Sequence, residues 1–187
     1  LSNERDSFMT RLKPLDTGLM TDRQKQVYDA IVSGPRGRVR GPLAVWLHRP
    51  ELASKAQKLG QYCRYDSALP PRLSELAILT TARIWDAAFE WQAHVPHALA
   101  GGITPAVIAS LESDETPQFD KADEAVVYAF SRELNMTRAV SDETFDRTIA
   151  CLGADATVDL VGVLGYYALI SMTIKAFDLP GLDNGSE

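Results

Sequence analysis

The chain has 187 residues, is 45% hydrophobic and 24% charged, and carries a formal charge of −6 with a pI near 5.1. That length and apolar fraction suit one globular domain with a substantial core. The acidic balance excludes an electrostatic nucleic-acid binder, which needs a clustered positive surface.

Taken in order, residues 1–20 are polar, with Pro14 and Gly18, and read as an arm that lies over the body or stays mobile. Thr21 is an N-cap for a helix from Asp22 to about Ser33, with Val27, Ala30 and Ile31 facing inward. The glycines of GPRGRVRGP enforce a loop, and its arginines, Arg36, Arg38 and Arg40, read as a loop feature rather than a nucleic-acid patch. Leu43 to Leu47 forms a short apolar helix whose end carries His48, placed to meet unpaired carbonyls. Glu51 to Tyr65 is another helical run, with Leu52, Ala56, Leu59 and Cys63 at helical spacing, ended by Asp66 and Pro70-Pro71.

Ser74 to Ala100 reads as helix, with one internal boundary at Asp86, a good N-cap residue, and Gly101-Gly102 as its terminator. Pro96 predicts a kink beside His94. Thr104-Pro105 starts a short helix to about Leu111, Asp120 caps one through Glu133, and Ser141 caps another that Gly153 stops. The last helix runs from about Thr157 to Phe177. Its uncharged centre, Leu160 to Ile174, is shorter than the roughly 18 residues a bilayer span requires. Gly162 and Gly165 in that helix predict the close approach of another element. Asp183 to Glu187 is expected to be a loose tail. No stretch alternates with period two, so the fold class is all-α, with one domain over residues 21–178 and a tail over 179–187.

Chemistry concentrates on Glu90 and His94, four residues apart on one helix face. A carboxylate one turn before an imidazole fixes its tautomer and leaves the other nitrogen free to move a proton; the plainer alternative is an ordinary surface helix pair. Cys63 and Cys151 are isolated, in no metal-ligand spacing, and no signal-peptide pattern opens the sequence. The expectation is a reduced, cytoplasmic protein with free thiols and neither metal nor cofactor. Arg83 and Arg64 are candidates to hold a substrate carboxylate. His97 either contacts substrate or points into an interface. Trp46, Trp85, Trp91, Tyr166 and Tyr167 either line an apolar pocket or belong to the core or a subunit contact.

These residues resemble the carboxymuconolactone decarboxylase family and its relative, the alkylhydroperoxidase D family. In the peroxidase branch a glutamate precedes a Cys-x-x-Cys pair by twelve residues, and a histidine follows four residues after. Here those positions fall on Glu75, on Ala87 and Glu90, and on His94, so both redox sulfurs are missing. Glu90-Trp91-Gln92-Ala93-His94 looks like the Glu-x-x-x-His of the decarboxylase branch. RGPLAVWLHRPELA, LPPRLSELAIL and DLVGVLGYYALI extend the resemblance over roughly residues 35 to 178.

The resemblance implies a bundle of about seven or eight helices built into homo-oligomers, whether trimer, dimer or hexamer. It also implies a lyase of aromatic-compound catabolism, acting on a small carboxylated lactone or oxo-acid. Glu75, Glu90 and His94 would be its catalytic relay, and Arg83, His97, Trp91 and Arg64 its substrate contacts. Two readings compete with the lyase. One is a thiol peroxidase or other redox enzyme, disfavoured because the dithiol is absent; the other is a non-catalytic helical oligomer that binds a small ligand.

Overall fold

A computed structural model describes residues 10–182; the expectations for the first nine residues and for the tail from Asp183 to Glu187 lie outside the described residues. Among the described residues the chain forms eight α-helices, a short 3-10 turn at Thr17–Leu19 and a π turn at Tyr62–Asp66, with no strand. The helices are α1 (Asp22–Val32), α2 (Pro42–Trp46), α3 (Pro50–Gln61), α4 (Pro71–Ile84), α5 (Ala88–Gly101), α6 (Pro105–Glu112), α7 (Ala122–Thr137) and α8 (Asp142–Phe177).

Helix α4 is the centre of the fold. All ten residues from Leu73 to Ala82 are buried, so this helix is enclosed on every side. It packs against α5, α7 and α8, and its leucines and alanines meet Val127 and Phe130 of α7 and Leu160, Val163 and Leu164 of α8 in one continuous core. Polar members of α4 satisfy themselves locally: Thr80 and Thr81 donate to the carbonyls of Leu76 and Ala77. At the start of α4, Arg72 pairs with Asp123 at 2.7 Å and Glu124 at 2.5 Å, tying α4 to the first turn of α7.

Helix ends follow side-chain chemistry in most places. Thr21 and Gln24 form a reciprocal capping box on α1, Thr104 caps α6 and Ser141 caps α8. Gly102, at φ 101°, closes α5 in the left-handed conformation that glycine adopts without penalty. Helix α5 continues through Pro96.

Other expectations are corrected. Asp86 does mark the boundary between α4 and α5, but it caps nothing. It sits at φ 48°, and Lys175 of α8 donates to its carboxylate at 2.9 Å and its carbonyl at 3.1 Å. Asp120 is likewise not the cap of α7, which starts after Lys121 with no side-chain cap. Ala30 is exposed, and so are Leu52 and Leu59 on α3. The run expected to end at Tyr65 loses α-helical geometry after Gln61 and finishes as the π turn.

Gly153 breaks α8 with φ 79° and ψ 172°, after which the helix resumes. Its longest apolar stretch is long enough to cross a membrane by length and composition alone, and half of that window is buried within the fold. The inward face carries Leu160, Val163, Tyr166, Tyr167, Ile170 and Ile174. The outward face carries Val158, Val161, Leu169 and Met172, all exposed. Gly162 and Gly165 open onto that outward side, where an added Cβ would meet nothing within 4 Å. No element of the described chain approaches them, contrary to expectation.

Candidate functional site

The packing of α4 against α5 buries three ionisable side chains together. Glu75 from α4, and Glu90 and His94 from α5, are 4–5% exposed. His94 Nδ1 lies 2.6 Å from Glu75 Oε2, and His94 Nε2 lies 3.1 Å from Glu90 Oε2. Both imidazole nitrogens are therefore engaged, so the expected free nitrogen is not there. Burial opposes charge on His94, but the hydrogen bonds to Glu75 and Glu90 outweigh it and raise its pKa above the ordinary histidine value. As an imidazolium the ring donates from both nitrogens, which two flanking carboxylates match.

This chain of three opens at one end only. Glu90 and His94 line a cavity of about 280 Å³; Glu75 stands behind them and does not reach it. Tyr167 of α8 packs edge-on to the His94 ring with centroids 5.1 Å apart, and His97 does so at 5.9 Å. Burial, followed by the charge of Arg64, lowers the pKa of His97, and burial raises that of Tyr167 well above the ordinary phenol value. Both shifts favour the neutral forms of His97 and Tyr167 at neutral pH.

The cavity is also lined by residues that the sequence reading took as a loop feature. Arg36, Arg38 and Arg40, from the loop between α1 and α2, line the same cavity as Arg64 of the π turn. Among the described residues none of the four forms a salt bridge. Arg36 donates instead to Tyr166 Oη at 3.1 Å, and its buried Nε has no partner. Gly60 makes that approach possible, since a Cβ there would strike both Tyr166 and Arg36. Burial and then the neighbouring Arg38 lower the Arg40 pKa, with Arg64 adding to the repulsion. Clustered guanidiniums with no carboxylate partner among the described residues suit an anion. The available signal was the run Arg36, Arg38 and Arg40, with Arg64 further on, upstream of the Glu/His pair in sequence.

Arg64 and His97 thus stand in the cavity with His94. Arg83 and Trp91 do not: they line a separate small cleft with Asp86 and Glu112, and Arg83 Nε donates to the Leu111 carbonyl at 3.2 Å. Trp46 is core, its Nε1 donating to Thr173 at 2.9 Å. Neither cysteine lines the cavity; Cys63 is buried, which pushes its thiol up to about 11, and Cys151 is exposed on α8.

Residues 50–133, which contain the whole Glu75, Glu90, His94 cluster, match the family model of the carboxymuconolactone decarboxylase family. That segment, just under half of the chain, is similar to this family. Solved structures share the fold well beyond the matched segment. A candidate antioxidant defence protein AhpD of unknown function from Agrobacterium tumefaciens aligns with a TM-score of 0.67 at 16% identity, over 78% of this chain and all of that one. The debrominase Bmp8 aligns with a TM-score of 0.72 at 13% identity, over 95% of this chain and 93% of that one. A cysteine-to-alanine variant of Bmp8 in complex with 2,3,4-tribromopyrrole gives a TM-score of 0.72 at 16% identity, over 94% and 93%. No protein in the curated comparison matches the sequence. The ionisable cluster lies where α4 packs against α5, within the segment that the family model matches.

Proposed function

We propose that the protein is a carbon–carbon lyase of the decarboxylase type, acting in the cytoplasm on a small carboxylated lactone or oxo-acid. The observation that carries this reading is the buried Glu75–His94–Glu90 chain, which ends at a cavity also lined by arginines. A substrate carboxylate held by guanidinium loses carbon dioxide when its bonding electron pair moves into a conjugated carbonyl. The carbon left behind must then gain a proton.

Glu90 is the group placed to deliver it. The Nε2 proton of His94 passes to Glu90, and the Glu90 carboxyl turns to deliver that proton to carbon. Glu75 is a positioning residue that holds Nδ1 and the ring plane. Arg40 and Arg64 bind the anion and stabilise negative charge on the substrate oxygen, with His97 beside them as a neutral contact. A proton from water restores the relay after each turnover.

A thiol peroxidase needs an accessible thiolate. Cys63 is buried with a raised pKa, and Cys151 is far from the relay in the sense that it lines no part of the cavity. The outward stripe of α8 supports assembly into a homo-oligomer through Val158, Val161, Leu169 and Met172.

The test is carbon dioxide release from a panel of carboxylated lactones and β-oxo acids by wild type, His94→Ala and Glu90→Gln. Release that falls by about a hundredfold or more in both variants is expected for lost general acid catalysis. Equal release by wild type and variants overturns the relay, and folded protein that binds the panel without turnover leaves a ligand-binding module.

A further inference from the structure

A second cavity, of about 420 Å³, lies against the first, and Arg38, Arg40 and Phe89 line both. Its other walls are largely apolar: Leu12 and Pro14 of the N-terminal arm, Ala44 and Val45 of α2, and Leu179 and Leu182 beyond α8. The relay does not use this space, and the family motif at Glu75, Glu90 and His94 does not touch it.

The walls are tied down. The Arg11 amide donates to the Phe177 carbonyl at 3.0 Å, the Leu182 amide donates to Gln92 at 2.5 Å, and His48 Nε2 lies 3.0 Å from the Lys13 carbonyl. The chamber is therefore held by polar contacts around an apolar lining.

Phe89 is the divider. Gly41, at φ 55°, lets the ring lie against the backbone, because a Cβ at that position would fall 2.5 Å from the ring. The Arg40 guanidinium stands 5.8 Å from the ring centroid on the same partition. The partition between the two cavities carries both guanidiniums and an aromatic face. With Arg64 and Glu90 in the first cavity and largely apolar walls in the second, the pair matches the two ends of an amphiphilic acid.

We infer that the two cavities form one bipartite site for an amphiphilic monocarboxylate, its carboxylate among Arg38, Arg40 and Arg64 beside Glu90, and its apolar tail over Phe89 in the 420 Å³ chamber. The inference deepens the lyase reading by naming the substrate class, and it rests on that reading only for the fate of the head group. The arginine cluster supplies charge complementarity, and the chamber supplies the burial that a short acid would leave unused.

Isothermal titration of the wild-type protein with phenylacetate, 3-phenylpropionate and 4-phenylbutyrate tests it without requiring turnover. Each added methylene is expected to tighten binding by about fourfold, the transfer value of a buried CH₂. The uncharged 4-phenylbutyramide is expected to bind at least about tenfold more weakly than the acid, having lost a charge-assisted contact. Ala44→Phe, which fills the chamber from α2, should flatten the chain-length series, and the helical circular dichroism of that variant reports whether it has folded.

A wild-type series that is flat, or an amide that binds as well as the acid, overturns the inference even if carbon dioxide release is found. A series that rises in wild type and stays equally steep in folded Ala44→Phe also overturns it, since the tail then lies elsewhere. A rising series in a protein that releases no carbon dioxide upholds the bipartite site and overturns the lyase reading instead.

Discussion

Glu75 and His94 are nineteen residues apart, yet Glu75 Oε2 stands 2.6 Å from His94 Nδ1, across the packed interface of α4 and α5. Glu75 and Glu90 together outweigh the burial that would lower the His94 pKa. Glu75→Gln keeps the shape and removes one charge, so the imidazole pKa should fall relative to wild type, read from the ring proton chemical shifts over a pH series. Carbon dioxide release should fall by at least about tenfold, on the low side of a general acid–base effect because Glu90 remains. An unchanged imidazole titration would remove Glu75 from the relay.

The same raised pKa fixes the sign of a stability effect. The folded protein holds its His94 proton to higher pH than the unfolded chain, whose value is near 6.5. The contribution is complete below about pH 6.5 and disappears as pH rises through the folded pKa, because in that window the native state binds more protons. Urea unfolding of wild type and His94→Gln across that window should show the wild-type curve losing stability with pH relative to the variant. A difference that grows with pH would contradict the assignment.

Arg64 lines the cavity and also acts on His97, whose pKa is lowered first by burial and next by Arg64. Arg64→Gln should raise KM for a carboxylate substrate by about tenfold or more, the cost of one charge-assisted hydrogen bond, with a smaller change in kcat. It should also raise the His97 pKa, a spectroscopic change that loss of substrate binding alone does not produce. Arg64→Lys should recover only part of the binding, since an ammonium lacks the planar fork.

The residues explain which parts of this molecule could be read in advance. Thr21, Thr104, Ser141 and Gly102 act within one turn of themselves, so their roles are written locally. Glu90 and His94 share a helix face and were legible for the same reason. The contact of Glu75 with His94 depends on how two helices cross, which periodicity does not encode; only the family resemblance placed it. The arginine stretch is the loop that its glycines predict, but its place beside the cavity was not legible, because Arg36 meets Tyr166 across 130 residues. Asp86 misled because an aspartate suits both an N-cap and a left-handed turn, and Lys175 of α8 accompanies the second.

The two thiols should behave differently toward a water-soluble disulfide reagent. Cys151 is exposed and Cys63 is buried with its pKa pushed up to about 11, so one thiol should react in native protein and two in denaturant. Cys63→Ser should leave carbon dioxide release at the wild-type level. Any native peroxide reduction that vanishes in Cys63→Ser would reopen thiol chemistry.

Gly60 makes a prediction about the arginine wall. A Cβ at this position collides with Tyr166 and with Arg36, which themselves share a 3.1 Å hydrogen bond. Gly60→Ala should destabilise the fold by about 1–3 kcal/mol, the usual range for overpacking, despite the better helix propensity of alanine. It should also weaken carboxylate binding, because the guanidinium that is displaced belongs to the cavity. A neutral or stabilising effect in thermal unfolding would mean that Tyr166 and Arg36 are not packed on α3.

The outward face of α8 leads to the last prediction. Val158 is 70% exposed, Val161 47% and Met172 49%, and they lie one or more helical turns apart on the side where Gly162 and Gly165 have no neighbours. Glycines lower helix stability, and within this chain nothing packs into the space they leave. A second copy of the same helix can enter that space, because paired small residues let two backbones approach closely, and a self-complementary stripe then buries its own valines and methionine. Val161→Arg should place an unpaired charge in such a contact and lower the mass seen by sedimentation, while Val158→Ala should weaken assembly only modestly. Helical circular dichroism should stay unchanged in both, since neither side chain contributes to the core. If wild type sediments as a single chain at micromolar concentration, the stripe has another use and the proposed self-assembly fails.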